Sequence, residues 1–237
     1  MENSKLNAAV FIKLLQKKEY AVFNRPYELN IVGLRSPSTV PNNFDDSICV
    51  FYRLENQQWK LHIYKATTDP GTYWLRQPGQ PQGTAILKQG QYRDVYALDL
   101  HRGKYTALCQ RRGKVTVIRD YDRDAELDFY NGNEVSGYFG INIHRAKATG
   151  TTLQIDRNSA GCQVFANAED FAAFITMCHR HRELYGNKFT YTLIDLRTLQ
   201  RALKRKKVIA ATGTTAAALA TFWAIYETQL KNHSNTG

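Results

Sequence analysis

The sequence predicts a mainly β fold with flanking helices, an α+β arrangement around a β-sandwich or barrel-like core. Many short runs of β-branched and aromatic residues carry that expectation, together with the turn-forming residues that separate them. Helical periodicity is confined to a few segments.

From Lys5 to Lys18, Leu6, Val10, Phe11 and Leu14 recur at helical spacing while Lys13, Lys17 and Lys18 fall elsewhere, which predicts a short amphipathic helix. Strands are expected over Tyr27–Leu34, Ile48–Leu54, Trp59–Tyr64, Tyr105–Gln110 and Val115–Arg119. Pro41-Asn42-Asn43, Asp69-Pro70-Gly71, Pro78-Gly79 and Arg112-Gly113 supply turns. A second helix is expected over Ala168–Tyr185, where Phe171, Phe174, Ile175, Cys178 and Arg182 repeat at three and four, capped by Asn167 or Asp170 and closed by Gly186-Asn187. A strand over Phe189–Leu196 follows.

At 237 residues the chain is long enough for one main domain with appendages. The expected division is 1–25, an N-terminal helix and linker; 26–200, the main domain; and 201–237, a basic cluster, an apolar helix and a tail. A net charge of +11 points to polyanionic partners: nucleic acid, anionic lipid or an acidic cell-wall polymer. No pattern of an RNA-binding sheet, a KH loop or a zinc finger is present, so specific nucleic-acid reading is not expected. Cys49, Cys109, Cys162 and Cys178 form no CxxC pair, which argues against a zinc site or disulfide framework and for free thiols. No cofactor is expected. No secretory signal is visible at the N-terminus, so the expected location is the cytoplasm, the inner membrane by a tail anchor, or a virion.

Near the C-terminus, Arg201, Lys204, Arg205, Lys206 and Lys207 precede an uncharged run from Val208 to Tyr226. As a helix that run rises about 28 Å, close to the hydrocarbon thickness of a bilayer. Gly213, Thr212, Thr214, Thr215 and Thr221 dilute its hydrophobicity and alanine supplies most of the rest, so two readings stand: a membrane helix with its basic flank cytoplasmic, or a small-residue helix buried against protein.

The chemistry concentrates between Gly137 and Phe165. Gly137–His144 reads as one strand that ends in His144, and Cys162 follows 18 residues later inside Ser159-Ala160-Gly161-Cys162. Small residues before a cysteine keep the thiol accessible and leave backbone N–H groups free to meet an oxyanion. A neighbouring imidazole lowers the thiol pKa and later protonates a leaving amine. By residue type alone, a His and a Cys in a β protein are more often core residues than a catalytic pair.

The arrangement resembles the L,D-transpeptidase family (YkuD-type catalytic domain). His144 ends a strand, a glycine-containing loop follows, and Ser159-Ala160-Gly161-Cys162 is similar to the family's Ser-His-Gly-Cys motif. Thr68-Asp69-Pro70-Gly71-Thr72-Tyr73 resembles the family's Thr-Pro-x-Gly-x-Phe segment with a rearranged start, and the likeness runs from about Leu61 to Leu196. The resemblance implies an L,D-transpeptidase-like β-sandwich or barrel acting on peptidoglycan stem peptides, with Cys162 as nucleophile and His144 as base and acid. It further implies Gly161 and Cys162 N–H groups as oxyanion donors and the Arg145 carbonyl as the group that orients the imidazole. Ser159, Tyr138 and Asn142 are the expected substrate contacts. Ala160 replaces the family's usual His, and Val164 stands where an Arg commonly follows the cysteine. With water as acceptor the implied protein is a wall hydrolase of bacteriophage type, an endolysin or a particle-borne wall-opening enzyme. With an amine acceptor it is a transpeptidase that cross-links the cell wall. The rival reading is a non-enzymatic binding or structural protein of a membrane or virion, suggested by the charge and the basic tail.

Asp120, Asp122, Asp124, Glu126 and Asp128 place carboxylates at every second position. Asp120, Asp122, Asp124 and Asp128 are a calcium candidate set, although Ala125 replaces the usual turn glycine; the other reading is a solvated acidic loop. His179 and His181 are expected at the surface or a helix end, and His101 either lines the cleft or caps a hairpin.

Overall fold

The computed structural model describes residues 7–130 and 132–197. In order they form α1 (Ala8–Lys17), β1 (Asn30–Arg35), β2 (Asp46–Arg53), β3 (Trp59–Thr67), α2 (Thr72–Arg76), β4 (Thr84–Leu87), β5 (Gly90–His101), β6 (Tyr105–Gln110), β7 (Val115–Asp120), β8 (Glu134–Gly137), β9 (Ile143–Arg145), β10 (Gln163–Phe165), α3 (Ala168–Tyr185) and β11 (Phe189–Asp195). The fold is mainly β. Eight strands close a barrel in the order β1-β11-β5-β6-β9-β10-β3-β2, and β4-β7-β8 form a separate three-stranded sheet. Chain contacts divide the described residues into a unit of residues 23–194 and a unit that contains residues 7–22 and 195–197. In the second unit, α1 starts on Asn7, whose side chain accepts from the Val10 N–H, and buries Ala8, Phe11, Leu14 and Leu15. Leu6 and the 208–226 segment lie outside the described residues. Among the described residues no helix is long and apolar enough to cross a membrane.

The barrel core is aromatic where the site is anchored. Phe165 of β10 stacks on Phe174 of α3 at 5.0 Å and meets Phe171 edge-on at 5.5 Å. Burying each such ring contributes about 1.5–3 kcal/mol. Helix α3 begins at Asn167, whose side chain accepts from the Asp170 N–H. His181, expected at the surface or a helix end, lies near the C-terminal end of α3 but is buried: its Nδ1 accepts from the Leu29 N–H at 3.1 Å, and its Nε2 lies 3.1 Å from the Lys188 carbonyl. It therefore ties α3 to the segments that lead into β1 and β11.

A buried polar cluster fixes the Thr68–Gly71 segment. Arg35 donates to Thr68 Oγ1, the Thr68 carbonyl and the Leu87 carbonyl and pairs with Asp69 at 2.7 Å. Asp46 accepts from the Ser36 N–H, the Thr68 N–H and Thr68 Oγ1. Buried ionic groups persist only when neutralised and hydrogen-bonded in this manner. The consequence reaches the site, because the Gly71 N–H donates to the Ser159 carbonyl at 2.9 Å and holds the cysteine turn from behind.

Candidate active site

Strands β9 and β10 run parallel, with Ile143 beside Gln163, His144 beside Val164 and Arg145 beside Phe165. Parallel neighbours need a connection of a dozen residues or more, so the separation of His144 from Cys162 is the length of a crossover. Side chains alternate between faces, so Ile143 and Phe165 enter the core while His144, Val164 and the preceding Cys162 share the opposite face. One inter-strand spacing and a two-residue offset put the Cα atoms of His144 and Cys162 about 8 Å apart, within reach of their side chains.

The cysteine turn is built on Ser159. Its hydroxyl donates to the Cys162 carbonyl at 2.8 Å and accepts from the Gly161 N–H at 3.1 Å. Gly161 holds φ at +113°, a conformation that side-chain-bearing residues rarely adopt. Gln163 closes the turn from the core: its amide donates to the Gly161 carbonyl and its Oε1 accepts from the Tyr191 hydroxyl at 2.7 Å. The thiol is partly exposed; Sγ accepts from the Asn142 N–H and donates to the Gly140 carbonyl, both at 3.4 Å.

Two expected roles are corrected by these bonds. The Gly161 N–H is occupied by Ser159 and is not free to meet an oxyanion. The Cys162 N–H makes no hydrogen bond among the described residues and remains as the donor at that position. Ser159 is fully buried, so it shapes the turn and does not touch substrate.

His144 Nδ1 lies 2.9 Å from the Arg145 carbonyl, which also accepts from the Tyr105 hydroxyl. A carbonyl only accepts, so Nδ1 carries the proton and Nε2 keeps its lone pair for a base's work. The His101 ring stacks on His144 with centroids 4.2 Å apart and planes 24° from parallel. His101 sits at the hairpin end of β5; Asn142 Nδ2 donates to its Nδ1 at 3.1 Å, while Asn142 Oδ1 accepts from the Gln110 N–H. The Asn142 side chain is thus occupied in positioning and is not the substrate contact expected of it.

Gln110 also explains why Gly137–His144 is not the single strand that its sequence predicts. The chain ends β8 at Gly137, and the Gln110 side chain then donates to the Gly137 carbonyl and accepts from the Phe139 and Ile141 N–H groups. With Gly140 at φ +69°, these bonds replace a strand by a loop that wraps one amide. Gln110 and the stack of His101 on His144 were not identified by sequence reasoning. The signal for Gln110 was weak: it is a polar residue at the end of an apolar strand.

Burial pushes His144 down to about 3, reinforced by His101 and Arg102 and opposed by the Arg145 carbonyl. Burial likewise holds His101 at about 4. Cys162 moves up by burial, against the Asn142 N–H and the charge of Arg102, which both favour its thiolate. Desolvation therefore outweighs the two groups that favour the thiolate, and burial pushes both the thiol and the imidazole toward their neutral forms. Cys49, Cys109 and Cys178 are buried thiols, all raised by burial. Iodoacetamide is expected to label Cys162 alone in the native protein, at a rate that climbs from about pH 6 to beyond about pH 9. A plateau already at neutral pH would reveal a preformed thiolate and contradict the neutral pair.

Tyr138 is exposed and lines a cavity of about 390 Å³ with Trp74, Thr84, Arg119, Phe139 and Ala160, which brings the cavity to the cysteine turn. The acidic segment folds as successive side-chain turns: Asp122 accepts from the Asp124 N–H, Asp124 from the Glu126 N–H and buried Asp120 from the Asp128 N–H. Among the described residues no three His, Cys, Asp or Glu side chains are grouped to hold a metal ion, so Asp120, Asp122, Asp124 and Asp128 do not converge as a calcium site would require. Burial raises Asp120 to about 6. Comparison of the chain with protein-family models, with curated proteins and with solved structures found no match.

Proposed function

We propose that the protein is a cysteine-nucleophile acyl-transfer enzyme of L,D-transpeptidase-like type that hydrolyses amide bonds in peptidoglycan stem peptides. The observation that carries this reading is the parallel register of β9 and β10. It sets a partly exposed thiol and an imidazole with a free Nε2 on one face of the same strand pair.

In the first step Nε2 takes the thiol proton as Sγ attacks the amide carbonyl carbon, and the carbonyl oxygen becomes an oxyanion beside the Cys162 N–H. The tetrahedral species collapses; the C–N bond breaks, and the leaving amine takes the proton from Nε2. A thioester to Cys162 remains. Water then attacks it, His144 accepts the water's proton, and the acid leaves as Sγ recovers that proton. The 390 Å³ cavity beside Ala160, walled by Trp74, Tyr138 and Phe139, is where the donor peptide is placed in this scheme.

Purified sacculi treated with the wild-type chain should release soluble fragments that carry new free carboxyls, each heavier by the elements of water. Cys162→Ala should release none. Fragments joined to an added amine in place of water would make the protein a cross-linking transpeptidase, and equal inactivity of both proteins would sink the enzymatic reading.

A further inference from the structure

Arg119 of β7 reaches into the cavity beside the cysteine turn. Its backbone is paired with Ala85 of β4, and Ala85 presses its carbonyl against Gly161, so two close steps connect Arg119 to the nucleophile's turn. One inter-strand spacing and one close backbone contact correspond to about 10 Å between those backbones. The guanidinium lies over the Phe139 ring at 5.0 Å and gives one N–H to the Gly83 carbonyl at 3.1 Å. Gly83 and Phe139 both line the cavity, as do Trp74 and Tyr138. Among the described residues Arg119 has no carboxylate within ion-pair distance, although it is partly buried.

A partly buried cation usually has a carboxylate partner or an equivalent set of acceptors. Here, among the described residues, one neutral carbonyl is the acceptor found for the side chain, which lines the cavity together with Trp74, Tyr138 and Phe139. The planar fork of an arginine matches a carboxylate in two parallel hydrogen bonds, and its value rises where water is excluded. We infer that Arg119 anchors a carboxylate of the peptide substrate, one or more residues from the bond attacked by Cys162. The cavity is therefore selective for acidic peptides over their amidated counterparts. This inference rests on the reading of Cys162 as nucleophile for the identity of the ligand, but the binding itself does not require turnover.

The test uses the full chain with Cys162→Ala and two synthetic stem-type peptides of one sequence, one with free carboxylates and one with those groups amidated. Titration calorimetry should give at least about tenfold tighter binding of the free acid, the scale of a charge-assisted pair. Adding Arg119→Met should weaken the free acid to the level of the amide and leave the amide unchanged, whereas a merely structural loss would weaken both. If Arg119→Met does not fold, Arg119→Lys keeps the charge, loses the fork and should retain only part of the discrimination. Equal binding of both peptides, discrimination that survives Arg119→Met, or no binding of either would overturn the inference. Acid-selective binding without hydrolysis of sacculi by the wild type would leave the anchor standing and remove the catalytic reading.

Discussion

His144→Ala is expected to slow hydrolysis at Cys162 by roughly 10²- to 10⁴-fold, the ordinary contribution of a positioned general base. At 1.36 kcal/mol per decade that is about 3 to 5 kcal/mol of barrier. The size of the effect follows from the resting protonation state. With the imidazole held near 3 and the thiol raised by burial, no thiolate waits for substrate, and the proton must move as the carbonyl is attacked. Nε2 is the group placed to take it, because Nδ1 is committed to the Arg145 carbonyl. The imidazolium that forms is disfavoured by burial, so it persists only while the oxyanion lies beside it, which couples proton transfer to attack. The pH profile should accordingly show no loss between about pH 7 and pH 5, a range in which an ordinary histidine becomes protonated. Steady-state release of fragments measures the effect. His144→Gln, which fills much of the same volume, should lose as much activity with a smaller change in melting temperature. A His144→Ala protein that kept more than a tenth of wild-type turnover would remove His144 from the mechanism.

Much of the frame was legible because it follows simple periods. Val115–Asp120 is a short run of β-branched residues just after the Arg112-Gly113 turn, and Ala168–Tyr185 repeats its apolar residues at three and four, so both stood close to their expected ends. The longest strand, β5, was missed for a physical reason. Asp94 sits at φ +55°, and the pairing with β11 shifts register beside it, so the alternation on one side of the bulge is out of phase with that on the other. Strands β9 and β10 have three residues each, too few to show any period, and only their partners make them strands. The thiol and the imidazole were identifiable by chemistry and spacing. Their electrostatics were not, because desolvation of His144 and Cys162 comes from residues distant in sequence. The same limit applies to Asn142 and Ser159: residue type predicted polar groups at the site, but only the fold assigns their hydrogen bonds to Gln110, His101 and the cysteine turn. The basic 201–207 cluster and the 208–226 segment lie outside the described residues, and membrane attachment through them remains a proposal.

Gly161→Ala should be the most damaging small substitution near the site. Two separate strains add at this position. A side chain at φ +113° costs about 1–3 kcal/mol by itself. The new Cβ would also stand 2.1 Å from the Ala85 carbonyl oxygen, which belongs to a strand and cannot swing aside as a flexible side chain would. Either β4 or the cysteine turn must move, and the turn is the shorter element, held by Ser159 from within and Gly71 from behind. Gly186→Ala isolates the first strain, since Gly186 is at φ +85° with nothing within 4 Å of its added Cβ. In a domain of this size each kcal/mol shifts the melting temperature by about 2–4 °C. Gly186→Ala should therefore lower it by a few degrees and leave Cys162 labelling unchanged. Gly161→Ala should lower it by at least twice as much and change the labelling rate several-fold, because the Asn142 N–H and Gly140 carbonyl contacts to Sγ depend on the turn's position. Equal shifts for the two variants, with labelling unaltered in both, would mean that the Gly161 backbone is not pressed against Ala85 and that the turn is set by other contacts.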